Sequence, residues 1–303
     1  MNKLPLITIG LTCFNCEKTI VRAFKSAVNQ NWVNKEIILI DDCSTDGSKL
    51  IITELMSQYP QIQLIINNKN YGLAYNENLI VDKAKGDFIA FFDGDDESRI
   101  DRITKQYERF SDYKSKNPDS KIIVYSNRNV VPINNQEKEF TRFAIGRKAT
   151  EPYGNIVVEY ILNVKKQSNK FCLGMFGSCT MFTKISYVKN LSGFDENFRR
   201  GAELDFAIRG AMKGYHFISV NESLIIQYLT LGNHKTLKKD LLFKKKLIKK
   251  YKKYLCKNLL YTSSILNTYA WYWYTQKNIL LGHFFRLFSF IFSLMSRLKK
   301  CIT

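Results

Sequence analysis

Two phosphate-binding motifs that are common in nucleotide-dependent enzymes are missing from this sequence. No Gly-x-Gly-x-x-Gly follows the first apolar segment, and there is no Walker lysine motif. Dehydrogenases and P-loop ATPases are therefore disfavoured, because both classes cradle phosphates with these backbone loops. If the chain binds a phosphate-bearing ligand, a metal ion has to neutralise the phosphate charge.

Cysteine frameworks for a structural zinc site or for disulfides are also lacking. The seven cysteines include Cys13 and Cys16, but no second pair completes a tetrahedral zinc site. Free thiols in a reducing cytosol are the simplest account. We also expect no secretory signal, because residues 1–5 lead directly into the first apolar strand. These features predict a cytoplasmic protein.

Acidic residues are scarce in the last quarter of the chain. Residues 231–303 contain 16 Lys and Arg and one acid, Asp240, so they carry +15 of the formal net charge of +19 and leave +4 for residues 1–230. The segment is also rich in aromatics, yet residues 279–295 are too short and too interrupted for a span of about 20 apolar residues. A basic, amphipathic helix over 238–257 followed by this aromatic segment favours an anionic membrane surface as partner.

Other interpretations of residues 231–303 remain open. One is a helical cap on the sheet or an oligomer interface. Another is nucleic-acid binding through the same positive charge. The segment is more apolar than a nucleic-acid-binding arm needs to be, so we expect no nucleic acid. The organisation predicted is a domain at residues 1–230 and a helical extension at 231–303.

The first hundred residues alternate between two hydrophobic periodicities. Short apolar segments predict strands buried on both faces at 6–11, 36–41, 63–67 and 87–93. Helical spacing of apolar residues predicts helices over 17–30, 49–59 and 73–85. Strands that alternate with helices imply an α/β fold with a mostly parallel, Rossmann-like sheet flanked by helices.

Polar side chains follow the predicted strands, and ligands of parallel sheets bind outside these carboxyl ends. Phe14 can cover a base, Asp42 can accept the imide N–H of a uracil, and Asp93 can accept from ribose hydroxyls. Asp93-Gly94-Asp95-Asp96 places three carboxylates directly after an apolar strand. Such a cluster needs a cation, and oxygen ligands select Mg²⁺ or Mn²⁺, which bridge carboxylates to phosphates. A polar turn that caps the strand is the alternative.

Three ordered motifs resemble family 2 glycosyltransferases of GT-A fold: the segments at 7–15, at 36–48 and at 86–96. The resemblance extends over residues 4–235 and is thin from 99 to 167. It implies a metal-dependent, inverting transfer of a sugar from a nucleotide diphosphate, most often UDP, to an acceptor hydroxyl. Surface polysaccharide synthesis at the cytoplasmic face of the membrane, on a glycan or lipid-linked acceptor, is the process that we expect.

The resemblance also implies roles for individual residues. Thr12, Phe14 and Asn15 match the family's base pocket, and Asp42 matches the acid that reads the base. Asp95 is the expected metal ligand, with Asp93 as a ribose or metal ligand, and Asp96 either shares the metal or caps the next segment.

The second half of the chain supplies the expected general base. The family has a Gly-Phe-Asp-Glu segment and a helix with an Asp and an Arg four residues apart. Gly193-Phe194-Asp195-Glu196 and the helix that contains Asp205 and Arg209 resemble them. This alignment places Glu203 at the family's catalytic aspartate, the general base. A solvated first-turn acid is the alternative for Glu203. Asp205 and Arg209, four residues apart, predict an ion pair that shapes the site. His234 lies where the family often has a histidine near the metal; a solvated loop histidine is the alternative. His216 is predicted to be structural.

Departures from the family pattern weaken part of this interpretation. Glu77 stands where the family usually carries Arg, and Ala202-Glu203 replaces its Glu-Asp pair. A non-catalytic scaffold that binds sugar nucleotide and membrane, and a nucleotidyltransferase that uses the same metal-binding acids, are therefore the alternative functions.

Overall fold

The computed structural model describes residues 4–132, 138–163, 171–229, 236–257 and 260–302. The chain divides into two compact units. The first comprises residues 1–154 and 169–230, and the second comprises residues 155–168 and 231–303. The division predicted at residue 230 assigned residues 155–168 to the first part of the chain.

The first unit contains a single sheet. Among the described residues its strands are β1 (Ile7–Cys13), β2 (Lys35–Asp41), β3 (Gln63–Ile66), β4 (Phe88–Asp93), β5 (Glu97–Ser98), β6 (Ile122–Val131), β7 (Phe140–Arg142), β8 (Phe182–Lys184) and β9 (His216–Tyr228). Their order is β3-β2-β1-β4-β8-β6-β9-β5, with β7 paired to β6. The strands β3, β2, β1 and β4 are parallel, whereas β8 runs antiparallel to both β4 and β6.

Helices cover the faces of this sheet. They are α1 (Ile20–Val28), α2 (Ser48–Gln58), α3 (Leu73–Lys83), α4 (Arg102–Lys116), α6 (Ile185–Asn190) and α7 (Ala202–Met212), with a 3₁₀ turn at Ser178–Thr180. The predicted α/β fold class is confirmed, because β1 to β4 and α1 to α3 alternate as the two periodicities predicted. Strands β1, β2 and β4 are largely buried, as their continuous apolar sequences require; Ile7, Ile9 and Leu11 of β1 are fully buried. The prediction of burial on both faces was wrong for β3, whose residues are exposed or half-buried because β3 lies at the edge of the sheet.

Most helix ends lie one to three residues from the predicted positions: α1 spans 20–28 rather than 17–30, and α2 spans 48–58 rather than 49–59. At the start of α1 and at the end of α3, an acid accounts for the difference. Helix α1 begins at Ile20 and not at 17, because the Glu17 carboxylate accepts a hydrogen bond from the Gly47 N–H (2.9 Å) outside the helix. Helix α3 ends at Lys83 and not at 85. The N–H groups of Lys85 and Gly86 donate to Glu36 Oε1 at 2.7 and 2.9 Å, which turns the chain toward β4.

The second unit is helical. It contains α5 (Asn155–Ile161), α8 (Leu237–Lys250), α9 (Lys252–Lys257), α10 (Tyr261–Thr275) and α11 (Ile279–Ile302). The predicted helix over 238–257 is divided into α8 and α9 at Tyr251. Leu247, Ile248 and Leu255 of the predicted apolar stripe are buried, whereas Leu242 is exposed. No helix in the described part of the chain is both long enough and apolar enough to cross a membrane.

Candidate active site

The loops that follow β1 and β2 are bound to each other at the carboxyl edge of the sheet. The Asn15 side chain accepts from the Thr45 N–H (2.8 Å), and the Asn15 N–H donates to Ser44 Oγ (2.9 Å). Asn15 has a φ of 53°, a left-handed conformation that asparagine tolerates better than most residues. The Phe14 ring remains 43% exposed at this edge. An exposed aromatic face here is suited to stacking on a planar group.

Asp42 has a structural function that the sequence did not reveal. Its Oδ1 accepts from the N–H of Tyr71 and from Asn67 Nδ2, both at 2.9 Å, and its Oδ2 accepts from the N–H of Gly72 at 2.8 Å. The buried carboxylate thus fixes the chain between β3 and α3. Since an ionised carboxylate has about four acceptor positions, three are used internally and one remains for a ligand. The predicted contact of Asp42 with a base remains a prediction.

Three acids lie at the end of β4: Asp93 is its last residue, and Asp95 and Asp96 follow. Thr12 pairs with Asp93 across β1 and β4, so the predicted base pocket and the acids adjoin. Asp96 is 5% exposed, and neither of its carboxylate oxygens has a hydrogen-bond partner among the described residues. Oδ1 of Asp93 is also unpartnered within the described part of the chain. Unpaired buried carboxylate oxygens are uncommon and call for a compensating charge.

The pKa values of these acids reflect their crowding. Burial raises the pKa of Asp93 to about 7, and the neighbouring charge of Asp95 adds to this effect. Burial raises the pKa of Asp96 to about 8, the charges of Asp93 and Asp95 raise it further, and the charge of Arg128 opposes them. A cation bound among these carboxylates would favour their ionised forms and reverse the shifts.

Two glutamates from distant parts of the chain complete the cluster. Glu203 lies in the first turn of α7, and burial raises its pKa against the opposing charges of Arg128 and Arg200. Glu77 of α3 is 2% exposed, with an unpartnered Oε1 in the described structure. Burial raises the Glu77 pKa well above its ordinary value, and the charges of Asp93 and Glu203 raise it further. A position in the first turn of a helix favours the ionised carboxylate of Glu203, but burial outweighs that effect and raises its pKa.

Two buried arginines partly balance the five acids. The Arg102 guanidinium is fully buried, donates to Gln106, Ser98 and the Phe91 carbonyl, and has a pKa lowered by burial to about 10. Arg128 donates from Nη1 to the Cys179 sulfur at 3.1 Å. Both positive charges lower the pKa of Asp93. Even with Arg200 beside Glu203, three guanidiniums face five carboxyl groups, so this part of the first unit is short of positive charge.

An asparagine joins α3 to the segment that precedes Glu203. Asn78 donates from Nδ2 to the Phe194 carbonyl (2.9 Å) and accepts at Oδ1 from the Phe194 N–H (2.7 Å). Gly193 has a φ of 63°, and a Cβ added there would lie 2.3 Å from Asn78 Oδ1. Only glycine permits this close approach. The contact fixes the Gly193–Glu196 motif against the helix that carries Glu77.

The predicted ion pair of α7 is confirmed. Arg209 Nε lies 2.8 Å from Asp205 Oδ2, and Asp205 is fully buried. The same guanidinium donates to the carbonyls of Leu191 and Gly193. The pair therefore holds the first turn of α7, where Glu203 lies, against the loop that Asn78 contacts.

The structure brings most of the predicted site residues to one edge of the sheet. Thr12, Phe14, Asn15, Asp42, Asp93 and Asp95 lie in the loops and strand ends that converge there. His234 is outside the described residues. His216 was predicted to be structural. Its Nδ1 forms a hydrogen bond with the Tyr113 hydroxyl (2.8 Å), and its ring stacks on Tyr153. The sequence did not identify Arg128, Arg102 and Cys179, and it identified Glu77 only as a departure from the family pattern.

The family assignment follows from comparison with known sequences. Residues 8–180 match the family model described as glycosyl transferase family 2. The chain belongs to this family. The putative glycosyltransferase EpsE of Bacillus subtilis is 39% identical over 107 residues, which is 35% of this chain and 38% of EpsE. Chondroitin synthase of Escherichia coli is 29% identical over 244 residues, which is 74% of this chain and 33% of the synthase.

Solved structures agree in fold. Staphylococcus aureus TarS 1-349, whose structure in complex with UDP-GlcNAc is known, matches with a TM-score of 0.56 and 13% identity, over 92% of this chain and 90% of that chain. At this identity the likeness concerns the fold alone, and the fold is of the GT-A type that the sequence motifs predicted. The matches span about a third to two fifths of the length of the curated relatives EpsE and chondroitin synthase.

Loss of the buried partner in α7 should destabilise the protein. Replacement Asp205→Ala leaves the Arg209 guanidinium without its carboxylate, and we expect a loss of about 3 to 5 kcal/mol in the free energy of unfolding. Urea unfolding followed by circular dichroism measures the change. The control is Asp112→Ala, which removes an exposed partner of Lys116 and should leave the unfolding midpoint unchanged. Equal midpoints for both variants would show that the α7 pair is not structural.

Proposed function

We propose that this chain is an inverting glycosyltransferase that moves a sugar from a nucleotide diphosphate to an acceptor hydroxyl. The observation that carries the proposal is the convergence of Asp93, Asp95, Asp96 and Glu203 at the carboxyl edge of the sheet, beside Phe14 and Thr12. Family membership supports the reaction class. The TarS complexes with UDP and UDP-GlcNAc support UDP as the nucleotide. The acceptor is a glycan or a lipid-linked saccharide of a surface polysaccharide, as the names of several relatives suggest.

The residues fit a divalent cation. Unpartnered oxygens of Asp93 and Asp96 are buried beside Asp95, and the five carboxyl groups outnumber the guanidiniums of Arg102, Arg128 and Arg200. Oxygen-rich, acidic sites of this kind suit Mg²⁺ or Mn²⁺. Asp95 and Asp93 would hold the ion, with His234 as a candidate third ligand. Bound there, the cation supplies positive charge to the departing diphosphate.

The chain's own residues account for the remaining steps. Phe14 stacks on the base, Asp42 accepts from it, and Thr12 and Asn15 line the pocket. Glu203, ionised, takes the proton of the acceptor hydroxyl. The acceptor oxygen then forms a bond to the anomeric carbon from the face opposite the diphosphate. The bond from that carbon to the diphosphate oxygen breaks, its electrons leave with the nucleoside diphosphate, and the configuration inverts.

The helical unit supports a second proposal, association with an anionic membrane surface at the cytoplasmic face. Residues 231–303 carry a net charge of +15. Helix α11 exposes a large set of apolar side chains: Ile279, Leu280, Leu281, Phe284, Leu287, Phe288, Phe290, Ile291, Phe292 and Leu294. A basic helix array with an exposed apolar helix matches the chemistry of an anionic bilayer surface, in which apolar side chains enter the acyl boundary.

Donor binding tests the first proposal. We expect one class of nucleotide sugar, the UDP class on the chemistry above, to raise the melting temperature in the presence of Mn²⁺ or Mg²⁺ but not with EDTA. Replacement Asp95→Ala should remove the metal-dependent part of the stabilisation. Asp82→Ala, an exposed acid of α3, is the control and should respond like the unchanged protein. Absence of stabilisation by UDP-, GDP- and dTDP-sugars would contradict the proposal.

Turnover tests the assignment of the base. Glu203→Gln keeps the size of the side chain but cannot accept a proton, so kcat should fall by about 100-fold or more while donor affinity is retained. Steady-state rates of nucleoside diphosphate release and donor titrations measure the two quantities. The control is Glu54→Gln, an exposed position on α2. If turnover persists in Glu203→Gln, the base lies elsewhere.

Vesicle binding tests the membrane proposal. Phe290→Glu places a charge on the most exposed aromatic of α11 and should lower partitioning onto anionic vesicles by about tenfold, the equivalent of one lost buried apolar side chain. Leu50→Glu is the matched control, because Leu50 is also a strongly exposed apolar residue (78%, against 65% for Phe290) but belongs to α2 of the first unit. Co-sedimentation with phosphatidylglycerol and phosphatidylcholine vesicles distinguishes the lipids. If neither vesicle binds and Phe290→Glu instead changes the mass in solution, α11 is an interface between copies of the chain.

A further inference from the structure

A thiol lies among the buried acids of the candidate active site. Cys179 belongs to the 3₁₀ turn Ser178–Thr180 and is 4% exposed. One ligand atom each from Asp93, Asp96 and Cys179 lies within 4.8 Å of the other two. The sequence separates Cys179 from these acids by more than 80 residues, and only the pairing of β8 with β4 brings the turn to the end of β4.

Hydrogen bonds do not compensate the burial of Asp93 and Asp96. Both carboxylate oxygens of Asp96 and one of Asp93 lack a partner in the described portion of the structure. The two nearby guanidiniums direct their hydrogen bonds elsewhere: Arg102 to Gln106, Ser98 and Phe91, and Arg128 to the sulfur of Cys179. A carboxyl group that is 95% buried with both oxygens unpaired points to a bound cation.

We propose that Asp93, Asp96 and Cys179 form a divalent cation site with a sulfur ligand. Ligand atoms at 2.0–2.3 Å from a tetrahedral ion lie about 3.6 Å apart, so the group needs a contraction of about 1 Å to bind. The sulfur loses its proton to solvent when it coordinates the ion, and the Arg128 donor stabilises the resulting thiolate. The site shares Asp93 with the proposed donor-binding pair but does not require Asp95 or Glu203.

The sulfur ligand determines which ions bind. Thiolate is a soft ligand that favours Zn²⁺, Co²⁺ and Cd²⁺, whereas Mg²⁺ takes oxygen ligands and keeps its waters. We therefore expect this chain to retain Zn²⁺ or Co²⁺ in the presence of excess Mg²⁺. An Asp-x-Asp pair alone, with oxygen ligands only, would not discriminate in this way.

Cobalt is the probe for the test, because a cobalt–thiolate bond absorbs in the near ultraviolet. The metal-free full chain is titrated with Co²⁺. We expect a sulfur-to-cobalt charge-transfer band that Zn²⁺ abolishes by competition and that Mg²⁺ at hundredfold excess does not. Cys179→Ser should remove the band, and Asp96→Asn should weaken Co²⁺ binding by about tenfold or more. Absence of the band in the unchanged protein would overturn the proposal.

Two control variants locate the sulfur and separate this site from the proposed function. Cys16 is a free, half-buried thiol that packs near Gly94, so Cys16→Ser should keep the band. A band lost in Cys16→Ser and kept in Cys179→Ser would assign the ligand to Cys16 and overturn the proposal. Asp95→Ala should keep the band while it loses metal-dependent donor stabilisation. Circular dichroism of each variant checks that the fold is retained, and sulfur scattering in the X-ray absorption spectrum of the Zn²⁺ form provides a second readout.

Discussion

Crowding of negative charge at one edge of the sheet is the constraint on which the rest of the first unit depends. Asp93, Asp95, Asp96, Glu77 and Glu203 converge beside the buried guanidiniums of Arg102 and Arg128, and Arg200 adds a third opposing charge near Glu203. Acids placed this closely in a low-dielectric setting repel one another and hold protons, as the raised pKa values of Asp93 and Asp96 indicate. The arrangement is stable only because packing from α3, α7 and β4 fixes it and because charges of opposite sign are available from the protein or from a ligand.

Several fixed contacts hold that arrangement. Asp42 fixes the chain before α3, Asn78 joins α3 to the Gly193–Glu196 motif, and the Asp205–Arg209 pair holds the first turn of α7. Asp42 and Asp205 are buried, and Asn78 is half-buried. The contacts of Asp42 and Asn78 connect segments that are 29 and 116 residues apart, whereas the Asp205–Arg209 pair lies within α7. Buried polar networks of this kind specify one geometry more strictly than apolar packing does. A site that must align a donor, an acceptor and a base within hydrogen-bond distance requires such strictness.

The sequence predicted the part of the sheet formed by β1 to β4 well and gave little information on β5 to β8. The apolar segments of β1 to β4 stand out from the helical periodicity between them, although β3 at the sheet edge is less buried than predicted. The segments around Arg128 in β6 and Cys179 before β8 have no periodicity that indicates an active site. Asp42 was identified from its position at a strand end, but its contacts with Tyr71 and Gly72 involve backbone groups, which no side-chain pattern reveals. Glu77 was visible only as a departure from the family, and its burial beside Glu203 depends on a tertiary contact.

The contact between Asn78 and Phe194 has a consequence for how the chain acquires its structure. The two residues are 116 positions apart, so the donor-side strands emerge from the ribosome long before the segment that carries Glu203. Domains generally fold as units, and the acids at the end of β4 cannot be buried before the 3₁₀ turn and α7 have been synthesised. Burial of the acids, with its cost in free energy, therefore requires both halves of the first unit, and the proton-accepting chemistry of the site exists only once that unit has formed.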